Sequence, residues 1–138
     1  MNFFIDNNIS PKIARALHEL SNGAPGEPSH NVSHLRDKFD ANTPDVESIS
    51  RLAKEGQWVV VAGDLRITTN VFEREAWMSS GLTAFFLKKG WMNLPYWEQA
   101  RKLVSWWPRI LDQARLMEAG VGYLVPLTGQ KLSLLRKH

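Results

Sequence analysis

Short apolar runs recur along the chain, and each is bounded by polar or turn-forming residues. The clearest runs cover residues 2–5, 58–62, 83–87 and 120–126, and a weaker one covers residues 32–35. Continuous apolar runs of this length are typical of strands that are buried on both faces. The pattern therefore predicts four buried strands and one weaker strand.

The segments between these runs carry apolar residues at helical spacing. The spacing predicts a first helix over residues 11–20 and a second that begins at residues 43–45. A third helix is predicted over residues 70–79. The fourth and longest covers residues 94–118, and we expect Pro108 to kink or break it.

Strands that alternate with helices predict βαβ units and an α/β fold around a central parallel sheet. The length of 138 residues suits a single domain that spans the whole chain. We expect polar residues 37–44 to form a turn, and the basic tail at residues 135–138 to fray. Parallel sheets bind ligands outside the carboxyl ends of their strands. The residues that directly follow the strands are therefore the candidates for chemistry.

Two of the predicted strands end in an aspartate, Asp6 and Asp64, and a third acid, Asp45, begins the helix between them. If the strands are parallel neighbours, all three carboxylates lie at the same edge of the sheet. Like charges brought together require a cation or a shared proton, and hard oxygen ligands favour Mg²⁺ or Mn²⁺. Each acid also has an explanation of its own that involves no metal. Asp6 could be a turn residue, Asp45 could complement the helix dipole, and Asp64 could terminate its strand.

Polar residues near these acids are candidates for binding a substrate phosphate. Arg66, Thr68 and Asn70 follow Asp64 and lead into the third helix, where hydroxyls, an amide and a helix N-terminus are available. Asn7 is within reach of any ligand at Asp6. Loop polarity and an ordinary helix cap explain the residues after Asp64 equally well.

Composition narrows the functional classes. The chain has no cysteine, which excludes disulfides and thiolate metal sites, and its net charge of +3 permits nucleic-acid binding without requiring it. We expect no signal peptide and no membrane span, so the expected location is the cytoplasm. Of the six tryptophans, five lie in the second half of the chain, where they suit either the core or an interface.

Three sequence motifs resemble those of the PIN-like domains found in VapC-type toxins and their relatives. Residues 4–11 resemble the opening strand that ends in aspartate and leads into a Ser-Pro helix start. Residues 44–47 resemble the second acidic position, and residues 59–64 resemble the third. The resemblance covers residues 1–90, and residues 91–138 would form a C-terminal extension of helix and strand.

The resemblance implies a three-layer α/β/α sandwich and a metal-dependent endoribonuclease, commonly the toxin of a toxin–antitoxin pair. It implies that Asp6, Asp45 and Asp64 bind Mg²⁺ or Mn²⁺ and that water attacks the RNA phosphodiester. Glu73 is the nearest candidate for the fourth acid that the larger group commonly has. The expected partners are RNA, an antitoxin protein and a second copy of the chain, which would bind through the tryptophan-rich C-terminal part.

Two alternatives follow from the same residues. The first is a catalytically impaired PIN-like protein that binds protein or RNA, which the tryptophan-rich stretch over residues 91–107 favours. The second is a receiver-like α/β domain, which also carries acids at strand ends. A receiver normally has two adjacent acids after its first strand, whereas here Asp6 is followed by Asn7 and Asn8.

Overall fold

A computed structural model describes residues 1–23, 25–63, 71–116 and 120–135, and for residues 45, 46 and 71–73 it describes the backbone alone. Helices and strands alternate over these ranges, with a 3-10 turn at Trp91–Asn93. The bounds are β1 Asn2–Ile5, α1 Pro11–Gly23, β2 Asn31–His34, α2 Leu35–Lys38, α3 Asp45–Glu55, β3 Trp58–Gly63, α4 Val71–Ser80, β4 Thr83–Leu87, α5 Tyr96–Leu116, β5 Gly122–Val125 and β6 Ser133–Leu134.

The described strands form one sheet in the order β2-β1-β3-β4-β5-β6. Neighbouring strands from β2 to β5 are parallel, and β6 runs antiparallel to β5. Ile5 pairs with His34 on one side and with Val61 on the other. The carboxyl ends of β1, β2 and β3 therefore lie side by side, and we call this side of the sheet the carboxyl edge.

Helices cover both faces of the sheet. Successive strand side chains point to opposite faces, so Phe3 and Ile5 pack against α1 and α5, whereas Phe4 packs against α2 and α3. Trp77 and Met78 of α4 pack on the same face as Phe4. The three-layer α/β/α sandwich predicted from the sequence is confirmed.

The first helix is longer than predicted because its polar last turn bonds to itself. The hydroxyl of Ser21 donates to the carbonyl of Leu17 at 2.6 Å, and the amide of Asn22 donates to the carbonyl of His18 at 2.6 Å. Serine and asparagine side chains can bond in this way to the carbonyl four residues earlier, so a polar turn of this kind is compatible with a helix. The helix therefore continues to Gly23, beyond the predicted end at Leu20.

Three further segments differ from the sequence predictions. Residues 35–38 form α2, capped by His34, although residue 35 was predicted to end the weak strand and residues 37 and 38 to begin the turn. Leu135, the first residue of the tail that was expected to fray, is ordered: it follows β6, which pairs with β5, and its amide donates to the carbonyl of Gly122 at 2.8 Å. Pro108 lies inside an unbroken α5. None of the helices in the described part of the chain has the length and apolar content needed to cross a bilayer.

The tryptophans of residues 91–107 fall into two groups. Trp91, Trp106 and Trp107 are buried, whereas Trp97 is 79% exposed. The ring of Trp107 lies 5.1 Å from that of Phe3 in β1, and its indole nitrogen donates to the hydroxyl of Ser21 at 2.8 Å. The C-terminal part of the chain therefore shares a core with the first strand and the first helix.

We predict that Trp107→Ala lowers the free energy of unfolding by about 3–5 kcal/mol, because it removes a large buried side chain. Trp97→Ala is the matched control and should change stability by no more than about 0.5 kcal/mol, because its side chain is exposed. Denaturant unfolding of the two variants measures both values. Equal losses would contradict this division of the tryptophans.

Candidate active site at the carboxyl edge

Asp6 is held by its backbone between two strands. It follows β1 directly, and its amide donates to the carbonyl of Val61 in β3 at 3.0 Å. Its own carbonyl accepts the amide of Ile9 at 3.1 Å, which closes the turn that leads to α1. The side chain is half-buried. Asp6 therefore occupies a fixed position at the carboxyl edge, as the sequence predicts.

The amide of Asn8 ties this turn to the end of β3. Its Nδ2 donates to the carbonyl of Gly63 at 2.5 Å. Gly63 is the last residue of β3 and immediately precedes Asp64 in the sequence. The hydrogen bond thus brings the loop that carries Asp6 against the residue before the second predicted acid. Asn8 was not among the predicted site residues, and the signal that could have found it is an asparagine two residues after a strand-ending acid.

Asn7 links the same turn to the segment between β2 and α3. Its Oδ1 accepts the Nε–H of Arg36 at 2.9 Å, and its Nδ2 donates to the carbonyl of Ala41 at 3.4 Å. Asn7 was predicted to bind substrate. In the structure it also connects the Asp6 turn to the loop that precedes Asp45.

His34 locks the end of β2 to the Asp6 turn. Its Nε2 lies 2.6 Å from the carbonyl of Ile9, and its Nδ1 accepts the amide of Arg36 at 3.1 Å. These partners assign the neutral tautomer with the proton on Nε2. The backbone amide of His34 donates to Asp37 at 2.8 Å, which completes a capping box for α2. Burial lowers the pKa of His34, and the hydrogen bond to Ile9 opposes that shift in part.

Gly63 is in close contact with the 3-10 turn that follows β4. A Cβ built at Gly63 would overlap the Sδ of Met92 and lie 2.5 Å from its Cε. The absence of a side chain at Gly63 therefore allows Met92 to pack directly beside the end of β3.

Basic side chains and a depression lie along the carboxyl edge. Arg36 is exposed beside Asn7, and Lys88 and Lys89 are exposed where the chain leaves β4. A cavity of about 550 Å³ adjoins Arg36, and its lining carries basic and acidic residues in equal number. It is lined by residues 36–40, 42–44, 47 and 51. The edge thus offers cations beside the half-buried carboxylate of Asp6.

A family model described as a PIN-like domain matches residues 1–89. The chain belongs to the PIN-like domain family. No curated protein matches the chain, and no solved structure matches it. Because the chain belongs to the PIN-like family, the receiver-like alternative is set aside. The PIN-like match includes the strands β1 to β4 and the sequence positions of all three predicted acids, and α5, β5 and β6 lie outside it.

Not every predicted site residue of this PIN-like chain can be placed. Asp45 is the first residue of α3, which begins on the carboxyl edge because it leads back to the start of β3, but its side chain lies outside the described residues. The side chain of Glu73 lies outside them as well. Four other predicted residues lie entirely outside the described residues: Asp64, Arg66, Thr68 and Asn70.

The carboxylate of Asp6 is the predicted metal ligand whose side chain the structure describes, and it is of the kind that suits Mg²⁺ or Mn²⁺. Asp6 supplies a carboxylate, whereas both ring nitrogens of His34 are engaged by the backbone and offer no nitrogen ligand. Carboxylate oxygens are the ligands these hard cations prefer. Among the side chains that the structure describes, no three histidine or acidic groups cluster; two of the three predicted ligands, Asp45 and Asp64, are outside that set.

We predict that stability falls as the pH drops below about 6.5, the ordinary pKa of histidine. Because the pKa of His34 is lowered in the folded protein, the unfolded chain binds more protons in this range, so stability is lost as the pH falls through the folded pKa. The free energy of unfolding of His34→Gln should depend less on pH. His30, whose pKa burial also lowers, contributes in the same direction, so His30→Gln is measured in parallel. Parallel pH curves for the wild type and His34→Gln would contradict the assignment.

A second prediction concerns the contact at Gly63. Gly63→Ala should lower the free energy of unfolding by about 1–3 kcal/mol, because the added methyl overpacks against Met92. In the double variant with Met92→Ala, the cost should be smaller than the sum of the two single costs. A double-mutant cycle by denaturant unfolding measures this coupling. Simple additivity would show that Met92 does not restrict the end of β3.

Proposed function

We propose that this chain is a metal-dependent endoribonuclease that hydrolyses RNA phosphodiester bonds, and that it acts as the toxin of a toxin–antitoxin module. The observation that carries the proposal is the hydrogen bond from Asn8 to Gly63. It holds the turn containing Asp6 against the residue that precedes Asp64, in a chain of a family whose members are typically nucleases.

Asp6, Asp45 and Asp64 would hold the Mg²⁺ or Mn²⁺ ion, with Glu73 as the candidate fourth acid. A divalent ion bound by these carboxylates lowers the pKa of water and neutralises charge on a phosphodiester. Three carboxylates at one edge would repel one another without such a cation. The proposed ion therefore accounts both for the placement of three acids at one edge and for their role in hydrolysis.

The remaining residues of the edge orient the reactants. Asn8 and His34 fix the turn that carries Asp6 through two backbone carbonyls, so the carboxylate does not have to be ordered when substrate binds. The exposed ammonium groups of Lys88 and Lys89 would attract the RNA backbone. Asn7, Arg66, Thr68 and Asn70 stay predicted substrate contacts.

We predict that Asp6→Asn reduces metal-dependent RNA cleavage by about 100-fold or more, the scale of loss seen when one electrostatic stabiliser of a transition state is removed. The amide keeps the size of the side chain and removes its charge, so the fold should be retained. Cleavage of a labelled RNA, with circular dichroism for the fold, measures both. Asp112→Asn is the control, because Asp112 lies in α5 and pairs with Arg115.

Three results bear on this prediction. Normal cleavage by Asp6→Asn would contradict the catalytic role, and cleavage that survives thorough chelation would contradict a metal-dependent mechanism. For the toxin role, expression of the wild type in a bacterial host should arrest growth, and Asp6→Asn should relieve the arrest. An antitoxin partner and a homodimer through the C-terminal part are predictions that co-purification and sedimentation would test.

A PIN-like protein that binds RNA or another protein without cleaving is the second candidate. The exposed indole of Trp97 favours it, because a large exposed aromatic side chain often marks a binding surface. Assays on RNA and on single-stranded DNA, with and without Mn²⁺, distinguish the two. Cleavage of either substrate by the wild type but not by Asp6→Asn favours the enzyme. Binding without cleavage favours the second candidate.

A further inference from the structure

The first turn of α5 exposes two neighbouring aromatic rings. Trp97 is 79% exposed and Tyr96 is 45% exposed, whereas Trp91, only a few residues earlier, is fully buried. The two exposed rings are in edge-to-face contact, with centroids 5.4 Å apart and planes at 79°. We call Tyr96 and Trp97 the aromatic pair. Neither ring belongs to the hydrophobic core of the described residues, so packing within the fold does not account for the pair.

The aromatic pair follows a strand that ends at the carboxyl edge, where Asp6 also lies. β4 ends at Leu87 on the carboxyl edge, and the chain passes through the 3-10 turn at Trp91–Asn93 into the start of α5. Met92 of that turn packs against Gly63, the residue to which Asn8 donates. One short segment therefore connects the end of β3 to the aromatic pair.

This segment is firmly anchored beneath the pair. The indole nitrogen of Trp91 donates to the carbonyl of Pro126 at 3.0 Å, and the amide of Gln99 donates to the carbonyl of Trp91 at 3.1 Å. The ammonium of Lys102 donates to the carbonyl of Leu127 at 2.8 Å. Because these bonds order the start of α5 in advance, a ligand on the aromatic pair would not have to order it.

The charge around the pair favours a polyanion. Residues 88–102 contain four basic residues and one acid, Glu98, which pairs with Arg101. Lys88 and Lys89 are exposed, and neither is paired with an acid in the part of the chain that the structure describes. Exposed aromatic rings and unpaired lysines within one short segment are a combination that suits single-stranded nucleic acid, where rings stack on bases and lysines meet phosphates.

We propose that the aromatic pair is a base-stacking platform for the single-stranded RNA whose phosphodiester is processed at the Asp6 edge. The identity of the RNA as a substrate rests on the proposed function, but the platform itself requires only binding. Two side chains suit one or two bases and are far smaller than the roughly 800 Å² per partner of a stable protein interface. A nucleic acid is therefore the occupant that area and charge together favour.

The test measures binding without cleavage. A short fluorescently labelled single-stranded RNA is titrated with the full chain in the presence of a chelator, and anisotropy gives the dissociation constant. Trp97→Ala should weaken binding by about 5- to 100-fold, the range for loss of one base–aromatic stack. Trp97→Phe should restore part of the affinity, because phenylalanine keeps a ring face.

Two matched controls isolate stacking from charge. Leu116→Ala removes an apolar side chain that is 82% exposed at the opposite end of α5, and it should leave RNA affinity unchanged. An abasic oligonucleotide of the same length carries the phosphates without the bases, and Trp97→Ala should bind it as the wild type does. Lys88→Ala should weaken binding of both oligonucleotides, because the lysine meets the backbone.

The outcomes separate this inference from the proposed function. Unchanged RNA affinity in Trp97→Ala, or an equal loss on the abasic oligonucleotide, would overturn the platform. Failure of the wild type to bind any RNA, with Trp97→Ala instead disrupting a protein complex, would overturn it in favour of a protein partner. Trp97-dependent RNA binding in a protein that cleaves nothing with Mn²⁺ would support the platform and refute the nuclease.

Discussion

The geometry of the carboxyl edge depends on one short hydrogen bond, from the side-chain amide of Asn8 to the carbonyl of Gly63. β1 and β3 are neighbours through their backbone ladder, but the ladder ends where the strands end. Beyond the end of β1, one backbone bond, from the amide of Asp6 to the carbonyl of Val61, and the side chains of the turn keep the two exits together. Asn8 does so directly, and Asn7 and His34 extend the connection to the exit of β2. These contacts add to the two backbone bonds that already hold Asp6.

The two layers of helices contribute differently to this edge. On one face, α2 is capped by His34 and faces the Asp6 turn through Arg36, so it orders the approach to α3. On the other face, the 3-10 turn before α5 packs Met92 against Gly63 and exposes the aromatic pair beyond it. The C-terminal part, which lies outside the PIN-like match, thereby contacts the edge that carries the candidate chemistry. Under the function proposed above, the family portion would supply the acids and the C-terminal part would add a surface for substrate.

The sequence was sufficient to predict the parallel strands β1 to β5, because buried parallel strands are continuous apolar runs, but it did not predict the short exposed strand β6. It also placed Asp6, since a strand that stops at an acid has few alternative positions for that acid. It failed where a side chain decides a local structure. Nothing in the polar segment 37–44 shows that His34 will cap α2, and the last turn of α1 depends on Ser21 and Asn22 bonding back to carbonyls. The burial of Trp106 and Trp107 and the exposure of Trp97 depend on which face of α5 meets the sheet, and helical spacing alone did not resolve that face in so aromatic a helix. Trp91 is buried in the 3-10 turn that precedes this helix.

The central claim is that the carboxylate of Asp6 binds a divalent cation together with the acids at residues 45 and 64. The most direct measurement is a crystal structure of the protein soaked in Mn²⁺, with anomalous scattering to locate the ion. We expect an anomalous peak within bonding distance of the Asp6 carboxylate and of at least one of the other two acids. The peak should be lost in crystals of Asp6→Asn. An ion bound only elsewhere, or a peak that persists unchanged in Asp6→Asn, would contradict it.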